Sequence, residues 1–151
     1  MERLRGTPVR VEELVRSFQS KILTVRLDGR WSIQEHVCHL LDLDKLHEGR
    51  LEDYLANATK LRPADMENKK TFQAGHNAKP ILGLLTSFRE ARTHFVRRLE
   101  KFDEEMLGRT ALHPRLQKRM RVVDFAYFVA EHDDHHLASM TELSKILTKQ
   151  K

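Results

Sequence analysis

Two histidines near the carboxyl-terminal end of the chain have the spacing of a metal-binding pair. His132 and His136 lie four residues apart in a segment whose apolar residues recur at helical intervals, so both fall on its buried face. Such neighbours are about 6 Å apart, which lets two imidazoles bind one ion. Burying them without partners is unfavourable, so the pattern predicts a shared cation. The apolar positions of this face are Val122, Phe125, Val129, Met140, Leu143 and Leu147.

A third imidazole is available from a second helical segment, which contains His36, His39 and His47. Periodicity alone slightly favours His36, because His39 falls at the edge of the apolar stripe. The pattern therefore leaves open whether His36 or His39 faces His132 and His136. A core histidine is more often hydrogen-bonded to a neighbour than bound to a metal, and this alternative applies to each of them.

Two charged residues interrupt the apolar stripes of other predicted helices. Asp44 lies in line with Val37 in the second segment, and Arg92 lies between Phe88 and Phe95 in the third. A buried ion pair between Asp44 and Arg92 is the simpler interpretation. The alternative is an arginine that faces a substrate.

Four amphipathic segments are predicted to form the helices that position these side chains. Ser32 and Glu35 are spaced as a capping box, in which each side chain binds the other residue's amide, so the second helix is expected to begin at Ser32. Asn77 is expected to cap the third helix, with Pro80 in its first turn. The chain has only 6 glycines and 4 prolines, which also favours helix. The predicted segments cover residues 9–24, 32–57, 77–99 and 122–148.

Two stretches without helical periodicity are predicted to be loops. The longer covers about 59–76 and contains Pro63 and Gly75, and a loop of this length is often functional. The second covers 108–120, and no convincing strand is apparent in the chain. With 151 residues, the sequence predicts one all-α domain over 1–151, folded as a four-helix bundle.

Composition restricts the partners that we expect. The net charge of +5 and the pI near 9.5 raise the question of nucleic-acid binding. However, 22 acidic residues are interleaved with 27 basic ones, and we interpret the basic run 115–121 as a solvated loop rather than a phosphate-binding patch. No signal peptide or membrane-spanning stretch is apparent, and the single Cys38 cannot form an internal disulfide. We therefore expect a cytoplasmic protein without a membrane or nucleic-acid partner.

Two sequence blocks resemble the DinB/YfiT-like superfamily of metalloenzymes. The first begins at Trp31 and reads WSIQEHVCHL, which is similar to the family pattern W-S-x-x-E-x-x-x-H-L. The second, HDDHHL, begins at His132 and is similar to the family's H-x-x-x-H. The resemblance covers nearly the whole chain. It implies that His39 is the first metal ligand and that His132 and His136 are the other two.

A third match, His113-Pro114-x-Leu116, lies before the fourth helix. Arg121 departs from the family, whose members often open this helix with Thr or Ser; this weakens the expected helix cap and leaves the histidines in place. The resemblance also implies a bundle with an unusual helix order, and often a homodimer. In such a bundle the link 59–76 could carry the chain diagonally and leave the second and fourth helices adjacent.

The resemblance implies a metal-dependent enzyme with a small-molecule substrate. Three neutral imidazoles leave open coordination positions on a divalent ion, zinc or nickel, as is typical of catalytic sites. Relatives of this kind resemble hydrolases or thiol S-transferases, the latter with a low-molecular-weight thiol such as glutathione, bacillithiol or mycothiol. Glu35, Asp42 and Glu131 are candidate general bases, and Cys38 is not expected to be a nucleophile. The alternatives are a non-catalytic metal-binding stress-response bundle and a nucleic-acid-associated protein.

Overall fold

Four long helices form the frame of the protein, whose computed structural model describes residues 1–65, 71 and 73–149. A short helix and a β-hairpin lie between the third and the last long helix. Within the described ranges, none of the helices combines the length and apolar character that crossing a membrane requires. The elements are α1 (Glu2–Arg16), α2 (Ile33–Leu55), α3 (Ile81–Leu99), α4 (Glu104–Gly108), β1 (Thr110–His113), β2 (Lys118–Arg121) and α5 (Val122–Lys149), with 3₁₀ turns at Ser20–Ile22 and His76–Ala78.

The long helices have an unusual order around the bundle. Helices α1 and α2 each pack against α3 and α5, so α1 and α2 lie diagonally opposite each other. The predicted adjacency of the helices that carry His39 and His132 is therefore confirmed. The suggested diagonal course of the link 59–76 is wrong, because the α2 and α3 helices that it joins are neighbours. The diagonal connection is 17–32, where buried Ile22 and Leu23 hold the chain against the core.

A buried polar layer separates two apolar clusters, and each long helix contributes one side chain to it. Arg92 Nε donates to Asp44 Oδ1 at 3.1 Å, and Arg92 Nη2 donates to Asp133 Oδ1 at 3.1 Å. Thr7 Oγ1 completes the layer from α1 by donating to Asp133 Oδ2 at 2.9 Å. The predicted Asp44–Arg92 ion pair is therefore present. The flanking clusters contain Leu4, Leu51, Tyr54, Phe95, Phe125 and Val129 on one side, and Val11, Val37, Leu40, Phe88, Met140 and Leu143 on the other.

The second helix begins as predicted, whereas two other helix starts differ. Ser32 accepts the Glu35 amide at 3.1 Å and Glu35 accepts the Ser32 amide at 2.9 Å, which is the expected capping box. Helix α3 begins at Ile81 rather than at Asn77, because Asn77 Oδ1 accepts the Ser32 hydroxyl at 2.7 Å and caps no helix. Helix α1 begins near the first residue and ends at Arg16, earlier than predicted at both ends.

The expectation of an irregular stretch at 108–120 without strands is wrong. Strands β1 and β2 pair antiparallel, with Ala111 opposite Met120. Leu112 also exchanges backbone hydrogen bonds with 59–61, at 2.9 and 3.0 Å. The basic run 115–121 therefore forms the hairpin turn and β2. Only Ala111 and His113 of these strands are buried, so the apolar alternation of a strand is too short to recognise.

Candidate metal centre

Three histidines from α2 and α5 converge between the two helices. One ring nitrogen from each of His39, His132 and His136 lies within 4.8 Å of the other two. The Nε2 atoms of His132 and His136 are 3.1 Å apart. Two nitrogen ligands of a tetrahedral zinc ion are about 3.3 Å apart when each bond is about 2.0–2.1 Å. The three side chains therefore fit a divalent ion.

The second candidate on α2, His36, contacts this group without joining it. Its Nδ1 lies 2.7 Å from His136 Nδ1, so one of these nitrogens carries a proton and donates to the other. This contact leaves His136 Nε2 to face His132. His39 Nδ1 lies 3.4 Å from Thr71 Oγ1, and the buried His132 Nδ1 has no partner among the described residues. The side chain that α2 contributes to the group is therefore His39.

Burial keeps these imidazoles in the neutral form, which is the form that binds metals. Desolvation lowers the pKa of His39 to about 3 and that of His36 to about 4. The pKa values of His132 and His136 are also lowered, again mainly by burial. Each ring therefore presents a lone pair at neutral pH.

Trp31 covers the group from the side of the helix start. Its ring centroid lies 4.5 Å from that of His39 and 6.0 Å from that of His136, where the two rings are stacked. The capping box explains this position, since Trp31 directly precedes the capping residue. Glu35 is part of the same box and also forms an ion pair with Arg26. The start of α2 therefore places the Trp31 ring beside the imidazoles. It also engages Glu35, one of the candidate bases, in the capping box and an ion pair.

A cavity of about 540 Å³ opens over the three histidines. Its volume lies within the range of about 300–1,000 Å³ that is typical of small-molecule sites. Of the three candidate bases only Glu131 lines it. Each of the three is ion-paired: Glu35 at the helix start with Arg26, Asp42 with His76 at 2.9 Å, and Glu131 with Arg3 at 2.7 Å. Burial raises the pKa of Cys38 to about 12, so this thiol is not an activated nucleophile. The other lining residues include Leu43, Leu46, His47, Arg50, Ala64, Asp65, His113, Arg115, Leu116, Phe128 and His135.

The sequence analysis named His47 only as one possible third imidazole and missed Arg50, and both side chains line this cavity. Both lie on the face of α2 that contains His39, at helical intervals from it, and this spacing was the available signal. His47 packs against Phe95 and Phe125, and its buried Nδ1 has no partner among the described residues. The polar lining of the cavity therefore extends well beyond the three histidines.

The fold and the site together indicate a class of protein: helical bundles in which histidines from two helices form a candidate metal site. This chain belongs to the DinB superfamily, whose family model matches residues 3–140. Among solved structures, the chain is similar to YfiT from Bacillus subtilis, with a TM-score of 0.84 and 21% sequence identity over 97% of this chain and 85% of that one. YfiT is described as a probable metal-dependent hydrolase with an unusual four-helix bundle topology. A comparison with curated proteins finds no match.

Proposed function

We propose that this protein is a metal-dependent hydrolase of a small-molecule substrate, with His39, His132 and His136 as the ligands of one divalent ion. The observation that carries the proposal is the convergence of three neutral ring nitrogens at the wall of a cavity. Imidazole ligands suit zinc and nickel. The similarity to YfiT, itself described as a probable metal-dependent hydrolase, supports the same reading.

The number of protein ligands favours catalysis over a structural role. Within the described part of the chain, no fourth His, Cys or carboxylate joins the group, whereas structural zinc sites are usually closed by four protein ligands. A divalent ion held there supplies Lewis-acid chemistry toward water and a substrate carbonyl. Trp31 limits the access of other water, and Glu131 at the cavity wall is the group to which we assign proton transfer.

Metal content tests the ligand assignment directly. The wild-type protein is expected to carry about one ion per chain, and His132→Ala is expected to carry almost none, because two remaining imidazoles hold a divalent ion weakly. His135→Ala is the matched control, since this neighbouring histidine lines the cavity but lies outside the three-nitrogen group. Inductively coupled plasma mass spectrometry measures both variants. Full metal occupancy in His132→Ala would show that His132 is not a ligand of the ion.

Turnover tests the reaction. We expect the metal-loaded protein to hydrolyse activated esters or amides without any thiol, and the chelator-treated protein to lose this activity. Turnover of an electrophile only when glutathione is present would instead assign the thiol S-transferase reaction, for which an ion held by the three histidines would supply a binding position for the thiol. Metal binding without turnover in either assay would favour a non-catalytic metal-binding bundle. The cytoplasmic location and the homodimer remain predictions, and sedimentation velocity tests the latter.

A further inference from the structure

Arg50 on α2 is a buried cation that has no acidic partner among the residues that the structure describes. Its side chain is only 2% exposed, and its Nε donates to the Arg62 carbonyl oxygen at 3.2 Å. The carboxylate that acts most strongly on its charge is Asp53, which Arg62 already binds, with an Nη2–Oδ1 distance of 2.8 Å. Arg50 itself forms no ion pair within the described part of the chain. Buried charges are normally paired, so an external anion is the partner that this guanidinium lacks.

His113 presents a second donor beside Arg50. The Leu116 amide donates to His113 Nδ1 at 3.2 Å, and burial lowers the pKa of His113 to about 4. The neutral ring therefore carries its proton on Nε2, because a neutral imidazole has one N–H. That Nε2 lies 3.2 Å from Arg50 Nη1, which is also a donor. Two N–H groups thus face each other, and an acceptor placed beside both would satisfy them.

The two donors lie in the same cavity as the three histidines. Arg50 is 11 residues beyond His39 on α2, which corresponds to about 16 Å along the helix axis. Helical side chains generally lean back toward the start of their helix, so we expect the guanidinium to lie closer to the histidines than this. Apolar side chains also line this cavity, including Leu43 and Leu46, which lie between His39 and Arg50 in the sequence of α2. The cavity therefore suits a molecule with an apolar body and one polar end.

We propose that Arg50 and His113 form a carboxylate-binding subsite of this cavity, so that its ligand is an organic monoanion whose other end reaches the three histidines. One guanidinium and one neutral N–H match a single negative charge. Besides Arg50, the described residues of the cavity lining include one further cation, Arg115, and two acids, Asp65 and Glu131, so the cavity favours a single negative charge over a dianion such as phosphate. The proposal rests on the proposed function only for the chemistry at the histidine end. It also assigns a role to the His113-Pro114-x-Leu116 match.

Binding of 4-phenylbutanoate, compared with the neutral 4-phenylbutanamide, tests the subsite by calorimetry. Chelator-treated protein is used, because a carboxylate can also bind a metal ion directly. Wild-type protein is expected to bind the acid on the order of 10- to 100-fold more tightly than the amide. Arg50→Met is expected to abolish this preference, and His113→Phe, which keeps the ring shape, to reduce it. Arg119→Met, on the exposed face of the same hairpin, is the matched control and should keep it.

Several outcomes would overturn the subsite. The wild-type protein would contradict it by binding the acid and the amide equally, by binding neither, or by binding inorganic phosphate more tightly than the acid. Among the variants, a full preference for the acid in Arg50→Met, or loss of the preference in Arg115→Met alone, would contradict it. The wild-type comparison and His113→Phe remain decisive if Arg50→Met does not fold. Metal content, measured separately, distinguishes the two proposals: metal binding without acid preference contradicts only the subsite, and acid preference without metal binding contradicts only the metal centre.

Discussion

Two arginines of the same protein are equally buried but have different surroundings. Arg92 is 1% exposed and Arg50 is 2% exposed. The Nε and both terminal nitrogens of Arg92 bind Asp44 and Asp133, whereas Arg50 has no acidic partner within the described residues. A satisfied buried charge specifies how the helices pack, and an unsatisfied one is a stability cost that a ligand can offset. We therefore infer that Arg92 stabilises the packing of the helices, whereas Arg50 serves the cavity.

The polar layer around Arg92 also contains more acid than base. Two carboxylates share one guanidinium, and burial raises the pKa of Asp44 to about 6 even though Arg92 opposes the shift. Removal of Arg92 would leave both carboxylates buried without a cation. Removal of Arg50 leaves no carboxylate without its partner, because Asp53 still binds Arg62. The consequences for stability should therefore differ sharply.

The largest effect is expected for Arg92→Met. This variant should lower the free energy of unfolding by about 3–5 kcal/mol, because it leaves Asp44 and Asp133 buried without their partner. Urea denaturation of metal-free protein measures the change. Arg98→Met is the control, since Arg98 lies on the same helix and binds Glu48 at 2.6 Å in a more exposed ion pair, which should contribute at most about 1 kcal/mol. Equal losses in the two variants would contradict the structural role of the polar layer.

The next largest effect concerns His47 and depends on pH. Burial lowers the pKa of His47 well below its usual value, so the folded protein keeps this ring neutral while the unfolded chain protonates it below pH of about 6.5. The unfolded state then binds more protons, and His47 removes about 1.4 kcal/mol of stability per pH unit as the pH falls below 6.5. The difference in free energy of unfolding between His47→Leu and wild type should therefore be about 2 kcal/mol more favourable to the variant at pH 5 than at pH 8.

Denaturation curves of metal-free His47→Leu and wild type at both pH values test this prediction. His39, His113 and His136 give the wild type further pH dependence of the same sign, so the difference between the two proteins is the relevant quantity. His94→Leu, at an exposed site on α3, is the matched control. The same pH dependence in His47→Leu and wild type would show that His47 is not held neutral by the core.

Local patterns predicted part of this molecule well. The capping box at Ser32 and the start of α5 at Val122 depend on residues close in sequence, and both are present. The stripe that contains His132 and His136 follows from one helix alone. The choice of His39 over His36 did not follow from periodicity, because it depends on the angle at which α2 meets α5; it came from the family resemblance.

Features that depend on distant partners were missed. Helix α1 begins before its predicted start because Leu4 is buried against another helix and Thr7 binds Asp133. Asp133 fits the helical repeat of the buried face, yet its charge conceals this until Arg92 is seen beside it. The hairpin was missed because its strands are short and one of them, through Leu112, also pairs with residues 59–61. Pairing energies of this kind are absent from local sequence patterns.

A smaller effect is expected for Thr7→Val, which keeps the shape of the side chain and removes its hydroxyl. The variant should lose about 1–2 kcal/mol, because a buried hydrogen bond to the charged Asp133 is no longer made. Asp133 keeps its bonds to Arg92, so the loss should be well below that of Arg92→Met. Urea denaturation measures it, with Thr86→Val at an exposed position as the control. A change as small as that of the control would show that Thr7 contributes packing alone.

The smallest effect on stability is expected for Arg50→Met, although the substitution removes a buried arginine. Methionine fills much of the same volume. The lost hydrogen bond to the Arg62 carbonyl is offset by the removal of a buried charge that no acidic residue in the described part of the chain pairs. The free energy of unfolding should change by less than about 1 kcal/mol. Urea denaturation beside Arg92→Met gives the direct comparison. A loss for Arg50→Met as large as that for Arg92→Met would mean that Arg50 is needed for folding, and the distinction between the two arginines would then be wrong.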